Sequence, residues 1–337
     1  MPFFSQDFLK NIMVRFHRLS DHLRSRFGER VQKIPLDAGF SCPNRDGTRS
    51  REGCVFCNPQ GSGSGLGDRG LSIREQWNFW RDIHVKKHRL SLFTAYLQSY
   101  SNTHGPAEKL ARALDDLRGL PGLTCLAIGT RPDCLDREKL DLLAQSRDRL
   151  GLEEIFLELG LQSASDATLK HINRGHDAAA FAEAAREAAD RGLTVVAHVM
   201  AGLPAPHGRE GLPELLDTVA FVNDLPVRGI KFHNVYVCRN TRLARWFEQG
   251  RYVPPTQEEY LHWLGEAIMR LDPSVVIHRL NGNPASGELL APAWAGNMRR
   301  VHNLIRDHFE REDIWQGKLN GAEDGPPDWS AKTGEQS

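Results

Sequence analysis

Residues 178–200 read AAAFAEAAREAADRGLTVVAHVM, and the change of pattern inside them decides the fold. Ala178 to Asp190 is rich in alanine, the residue that loses least on entering a helix, and Gly192 supplies a helix stop. Leu193 to Met200 then runs apolar and β-branched for the length of one buried strand. A helix feeding a strand through so tight a turn is half of a βα unit.

The same alternation extends from about residue 30 to 240. Candidate strands are Val31 to Ala38, Leu92 to Gln98, Leu123 to Gly129, Glu154 to Leu159, Leu193 to Met200 and Gly229 to Val237. Pro106 stands at a first helical position before Ala107-Glu108-Lys109-Leu110. Units of this kind in series build a doubly wound parallel sheet or a barrel, complete or partial, and both put chemistry at the C-terminal strand ends. Past residue 240, Thr256 to Leu271 and Asn297 to Glu312 predict helices around a short strand, Val275 to His278. The domain reading is a helical N-terminal extension (1–30), an α/β core (31–240), a small α+β extension (241–316) and a disordered tail (317–337) rich in Gly, Pro, Asp, Glu and Ser.

Forty per cent apolar and 26% charged residues exclude a mainly disordered or fibrous chain of 337 residues. Lys and Arg number 43, as do Asp and Glu, so a nucleic-acid partner would need a local basic patch. Arg15, Arg18, Arg24, Arg26 and Arg30 with Arg299 and Arg300 are the candidates, against the plainer reading of solvated faces. The start, Met1-Pro2-Phe3-Phe4-Ser5-Gln6-Asp7, has no basic segment leading into an apolar one, and no run of 18 apolar residues follows, so the expectation is a cytoplasmic protein without a membrane partner. Six cysteines are too few for a disulfide scaffold, and in a reducing compartment clustered ones read as metal ligands.

Cys42, Cys54 and Cys57 form such a cluster, C-x11-C-x2-C, just after the first candidate strand. Turn-forming Pro43-Asn44-Arg45-Asp46-Gly47 can bring Cys42 back to the short Cys54–Cys57 arm. Three readings stay open, the plainest being unconnected structural cysteines. A zinc site completed by a distant histidine would make a zinc-stabilised RNA- or protein-binding module, although His84 and His88 fall on a later helical segment. A 4Fe-4S cluster with only three protein thiolates leaves one iron open, as radical S-adenosylmethionine (SAM) chemistry requires. Phe56 would shield that cluster, and Gly61, Gly63, Gly65 and Gly67 would let the following loop pass close.

Several ordered motifs carry a family resemblance. They are Cys42 to Thr48, Gly53-Cys54-Val55-Phe56-Cys57-Asn58, Gln98-Ser99-Tyr100-Ser101-Asn102-Thr103, Gly129-Thr130-Arg131-Pro132-Asp133-Cys134, Leu159-Gly160-Leu161-Gln162-Ser163, Ile172-Asn173-Arg174-Gly175-His176, Gly202-Leu203-Pro204, Val276 to Leu280 and Leu289 to Pro292. Together they resemble the radical SAM proteins of the YhcC type over roughly residues 15 to 310. More distantly the chain is similar to the radical SAM domain of the Elongator catalytic subunit and to oxygen-independent coproporphyrinogen oxidase.

The resemblance implies an α/β fold, a partial (β/α)6 TIM-like radical SAM barrel with the C-terminal α+β extension attached. It implies an enzyme that binds a 4Fe-4S cluster through Cys42, Cys54 and Cys57 and cleaves SAM reductively to a 5′-deoxyadenosyl radical. A reductant such as flavodoxin or ferredoxin would be a partner. The substrate is unidentified, with tRNA a candidate through the Elongator likeness. Gln162 and Arg174 keep the twelve-residue spacing of two SAM contacts in the coproporphyrinogen oxidase. Gln98, Ser99, Ser101 and Asn102 fall where the superfamily holds the methionine amino group, and Glu158 is either a substitute ribose acceptor or a solvated or salt-bridged residue. Gly129 and His198 depart from the relatives, which carry acidic residues there.

Other residues admit two roles each. Arg131 and Asp133 either face the barrel mouth or pair with each other, and Cys134 is either a hydrogen-atom donor or a packed side chain. Lys231, His233 and Tyr236 lie on the sixth strand, the first two on one face. His278, Arg279, Asn281 and Asn283 either close the mouth or belong to a solvated loop.

Overall fold

The computed structural model describes residues 14–58, 61 and 70–329. Its main sheet runs in chain order: β1 (Val31–Leu36), β2 (Leu92–Leu97), β3 (Leu123–Thr130), β4 (Glu154–Gln162), β5 (Thr194–Ala201), β6 (Gly229–Asn234) and β7 (Val276–Arg279). Every neighbouring pair is parallel, and β1 and β7 are edges that do not pair with each other, so the barrel is partial.

Ten helices punctuate the described chain: α1 (Leu19–Phe27), α2 (Ile73–His88), α3 (Ala107–Asp115), α4 (Arg137–Leu150), α5 (Asp166–His171), α6 (Ala178–Ala189), α7 (Leu212–Asn223), α8 (Arg242–Glu248), α9 (Gln257–Arg270) and α10 (Met298–Arg311). Local chemistry sets their ends. The Asp136 and Asp177 carboxylates accept from backbone N–H groups of α4 and α6, and Thr256 and Glu259 form a capping box on α9.

Burial on both faces explains why β4 reads as nearly continuous apolar sequence: all nine of its residues are buried. Ile155, Leu157, Leu159 and Leu161 pack outward against the helices in the same core as Phe181 and Ala185 of α6. The alternate positions point into the barrel. At its N-terminal foot Phe156, Cys125, Ala127 and Val196 close on Leu23, Leu19 and Phe27 of α1, which stoppers that end. The His22 ring lies 3.0 Å from the Glu154 carboxylate and fixes the stopper in place.

Two expectations change. The segment 241–316 is not an appendage, because β7 pairs with β6 and completes the sheet, while Leu289–Ala291 returns antiparallel to Val237–Cys238. A pairing made across more than forty residues leaves no local pattern to read. Residues 317–329, expected as disordered tail, lie on the core: the Trp329 indole N–H donates to the Pro273 carbonyl at 2.9 Å, and its ring stacks on His17 at 6.1 Å. Residues 330–337 fall outside the described chain, as do Gly63, Gly65 and Gly67. No described helix is long and apolar enough to cross a membrane.

Candidate cofactor site at the barrel mouth

After β1 the chain winds into a loop held by its own main chain. The Cys42 carbonyl accepts from the N–H groups of Arg45 (2.8 Å) and Asp46 (3.1 Å), that of Pro43 from Arg49 (2.8 Å), and that of Asn44 from Gly53 (2.7 Å). Gly53 takes φ +73°, left-handed backbone that favours glycine, just before Cys54. The spacer thus folds back and gathers the three thiols. Burial raises the thiol pKa of Cys42 and of Cys57, and proximity to Cys54 raises both further. Arg131 and Arg174 pull Cys42 downward, and Arg45 does the same to Cys57.

The thiols are neighbours without forming a closed cage: among the described residues no group of three or more His, Cys, Asp or Glu is arranged to hold a metal ion. The donor set is cysteine sulfur, soft and suited to iron–sulfur ligation once deprotonated, and three guanidiniums stand ready to offset the thiolate charge. His84, weighed above as a zinc ligand, lies on α2 against the Trp80 and Phe93 rings, each 6.5 Å away. A cavity of about 700 Å³ adjoins Cys54 and Cys57 and is walled by Arg45, Thr241, Arg242 and Ala244.

Arg174 and Gln162 meet above the end of β4. The Arg174 guanidinium donates to the Gly160 carbonyl at 2.8 Å and lies 3.8 Å from the Cys54 Sγ. A Cβ on Gly160 would fall 2.2 Å from the Arg174 Nη2 and 2.7 Å from the Gln162 Nε2, so a glycine here is what lets both side chains cross the strand end. The ladder slips at this point, and Gln162 adopts φ +77°, a strained conformation for its residue type. Arg174 Nε and Gln162 Oε1 are both buried without a hydrogen-bond partner, which fits a polar ligand.

The loop after β2 divides its polar groups. Ser99 Oγ is buried and unpartnered. Ser101 Oγ, by contrast, bonds the Thr130 hydroxyl at 2.9 Å, and the Asn102 amide N–H donates to the carbonyls of Leu97 (3.0 Å) and Gly129 (2.9 Å), so these two brace β2 to β3, while the Asn102 Oδ1 stays buried without a partner. Gln98 caps the same strand, its N–H on the Leu36 carbonyl at 3.3 Å. Arg131 grips Asp133 through two bonds of 2.8 Å, an ion pair internal to the loop.

Glu158 does not stand free as a ribose acceptor. Lys33 reaches it at 2.8 Å and Lys231 bonds its other oxygen, while Lys231 also donates to the Tyr96 hydroxyl at 3.1 Å. Despite its burial, the two lysines hold the Glu158 carboxyl well below the usual carboxylate range. Burial pulls Lys231 down to about 7, and burial next to Arg279 pushes His233 to about 3 and His198 well below its ordinary value. Arg279 donates to the His198 Nε2 at 3.1 Å.

Sequence reasoning gave no role to Asn44, Lys33 or Tyr96. The Asn44 amide reaches the carbonyls of Asn173 (2.6 Å) and Arg174 (3.1 Å) and approaches the Cys54 Sγ at 3.6 Å, lashing the cysteine loop to the Arg174 turn. Its neighbourhood in the motif was the available signal. Lys33 and Tyr96 announce themselves only as polar residues on the inward alternation of β1 and β2.

The family description "Radical SAM superfamily" matches residues 46–210, and "Radical_SAM C-terminal domain" matches 227–311. With the relatives that follow, these matches show that the chain belongs to the radical SAM superfamily and is a radical SAM enzyme of the YhcC type. Protein YhcC of Escherichia coli (strain K12) is 37% identical over 305 residues, 90% of this chain and 95% of that one. YtqA of Bacillus subtilis (strain 168) is 33% identical over 309 residues, 92% of this chain and 94% of that protein. The solved structure of archaeal Methanocaldococcus infernus Elp3, with an N-terminal deletion, superposes with a TM-score of 0.62 at 16% identity over 85% of this chain. This chain covers 64% of that one, and the likeness is one of fold.

Proposed function

We propose that Cys42, Cys54 and Cys57 hold a 4Fe-4S cluster at the barrel mouth, and that Gln162, Arg174, Ser99 and Gln98 receive SAM beside it. Together these groups, once bound, supply the reductive cleavage of SAM to methionine and a 5′-deoxyadenosyl radical, the electron coming from a reductant such as flavodoxin or ferredoxin in the cytoplasm. The chain's own part is positioning. Arg45, Arg131 and Arg174 offset the charge of the thiolates. Gly160 leaves the space in which Arg174 and Gln162 lie, and Ser101 and Asn102 keep the β2 loop rigid behind them.

One observation carries this reading: Arg174 reaches from the Gly160 carbonyl to the Cys54 sulfur, beside a strained Gln162, with unpartnered polar atoms on both side chains. The substrate is left open, and the resemblance to the Elongator catalytic subunit keeps tRNA among the candidates. Anaerobic reconstitution tests the proposal. A brown protein with about four irons per chain should form 5′-deoxyadenosine from SAM when dithionite is added. Colourless protein with one zinc per chain would favour the zinc-binding module instead.

A further inference from the structure

Inside the barrel, below the strand ends, positive charge outruns negative. Lys33 of β1 and Arg279 of β7 bear on this space as standing charges, and Lys231 of β6 joins them below its pKa of about 7, whereas the carboxylate that acts on Lys231, His198 and His278 among the described residues is that of Glu158. Glu158 is already occupied by the two lysines. The histidines do not restore balance, since burial beside these cations keeps His198, His233 and His278 neutral.

Arg279 is the unmatched charge. Its Nη2 donates to a neutral ring, His198, and its Nε is buried with no acceptor; among the described residues no carboxylate forms an ion pair with it. The His278 side chain is wholly buried, its Nδ1 3.9 Å from the Glu158 carboxylate and neither ring nitrogen within hydrogen-bond distance of a partner. Lys33 keeps 22% of its side chain exposed. A half-buried guanidinium with a buried, unpartnered Nε and no counter-charge gains when a planar anion takes its fork of donors.

We propose that this floor is a receptor for an anionic group of the substrate, a carboxylate or a phosphate, gripped by Arg279 with Lys33 beside it. This rests on the reading of the chain as a radical SAM enzyme, whose substrate enters the barrel. SAM itself has its groups at Gln162 and Arg174, nearer the mouth.

Inorganic phosphate and malonate serve as probes on the reconstituted full chain, at an ionic strength held constant with chloride and without SAM. At least one of them should raise the unfolding temperature saturably, and the one that does names the anion. Arg279→Gln should weaken that protection by about tenfold or more, and Lys33→Gln severalfold. Arg279→Lys, which keeps the charge, should retain it to within severalfold, so a folding defect in the Gln variant would not hide the result. Absence of saturable protection by either anion, or equal protection of Arg279→Gln, overturns the proposal. So does a variant that loses SAM affinity and keeps anion binding, since that would place the guanidinium on the cofactor. Formation of 5′-deoxyadenosine by the parent is read separately, so a failure of the radical reading is not mistaken for a failure of the anion site.

Discussion

The mouth and the floor of this barrel lie four residues apart along β4, from Gln162 to Glu158, and are built on opposite plans. At the mouth, residues 42–57 come from one continuous segment whose shape is written in main-chain hydrogen bonds. On the floor, Lys33, Tyr96, Glu158, His198, Lys231 and Arg279 come from six different strands, and charge joins them. A side chain at the mouth can therefore be removed without disturbing the loop that presents it, whereas a side chain on the floor is itself part of what holds the strands in register. Function and stability should separate along that line.

The sharpest break in the comparison is at the cysteines. Cys42→Ala, Cys54→Ala and Cys57→Ala should each lose the iron completely and still fold, while Cys125→Ala and Cys238→Ala keep it; iron and sulfide analysis with circular dichroism of the five variants decides. Full iron in Cys42→Ala would undo the assignment. Next comes Glu158→Gln, which leaves Lys231 and Lys33 without their carboxylate and should cost about 3–5 kcal/mol in urea unfolding. If that variant were as stable as the parent, the floor would not be the structural element described here.

A smaller effect tests the mouth from the cofactor side. Gln162→Ala should keep its iron and bind SAM roughly tenfold to a hundredfold more weakly, whereas Arg174→Ala should lose SAM affinity and part of its iron, because it also touches the Cys54 sulfur. Gly160→Ala should imitate the loss of both contacts, since its Cβ displaces both side chains. SAM titrations followed by the cluster's paramagnetic signal, with iron analysis alongside, compare the three.

The smallest effect is in pH. Lys231 is lowered to about 7 in the fold from an ordinary 10.5, so between those values the unfolded chain holds the extra proton and stability rises with pH. The slope for one proton is about 1.4 kcal/mol per pH unit. Lys231→Met should flatten it, as measured by urea midpoints at pH 7.5 and 9. An unchanged slope would assign the titration to other groups.

These two plans also explain what the sequence made legible. The strands and the cysteine loop were readable because each is contiguous: β-branched runs, a turn-rich spacer, a short arm of two thiols. Gln162 and Arg174 were proposed through a spacing shared with relatives and keep buried polar atoms without partners, as does Asn102 at its Oδ1, whereas Ser101 and Glu158, equally near the strand ends, are engaged by other protein groups. Motif position does not say whether a side chain's bonds are already made. Lys33 and Tyr96 went unnoticed because their partners, Glu158 and Lys231, lie 125 and 135 residues away in sequence and only the barrel brings them near. Tail composition misled for a related reason, since one tryptophan, Trp329, outweighs the polar residues around it once it finds Pro273 and His17.

The α1 stopper gives the barrel a dead end. With Leu23 and its neighbours packed against Phe156 and Val196, α1 closes the foot of the barrel. A polymer brought to this protein would have to offer a single protruding unit, a flipped base or an extended side chain, and withdraw it by the way it came. The depth of the vessel, from the strand ends down to Arg279, would then act as a ruler for how far that unit can reach.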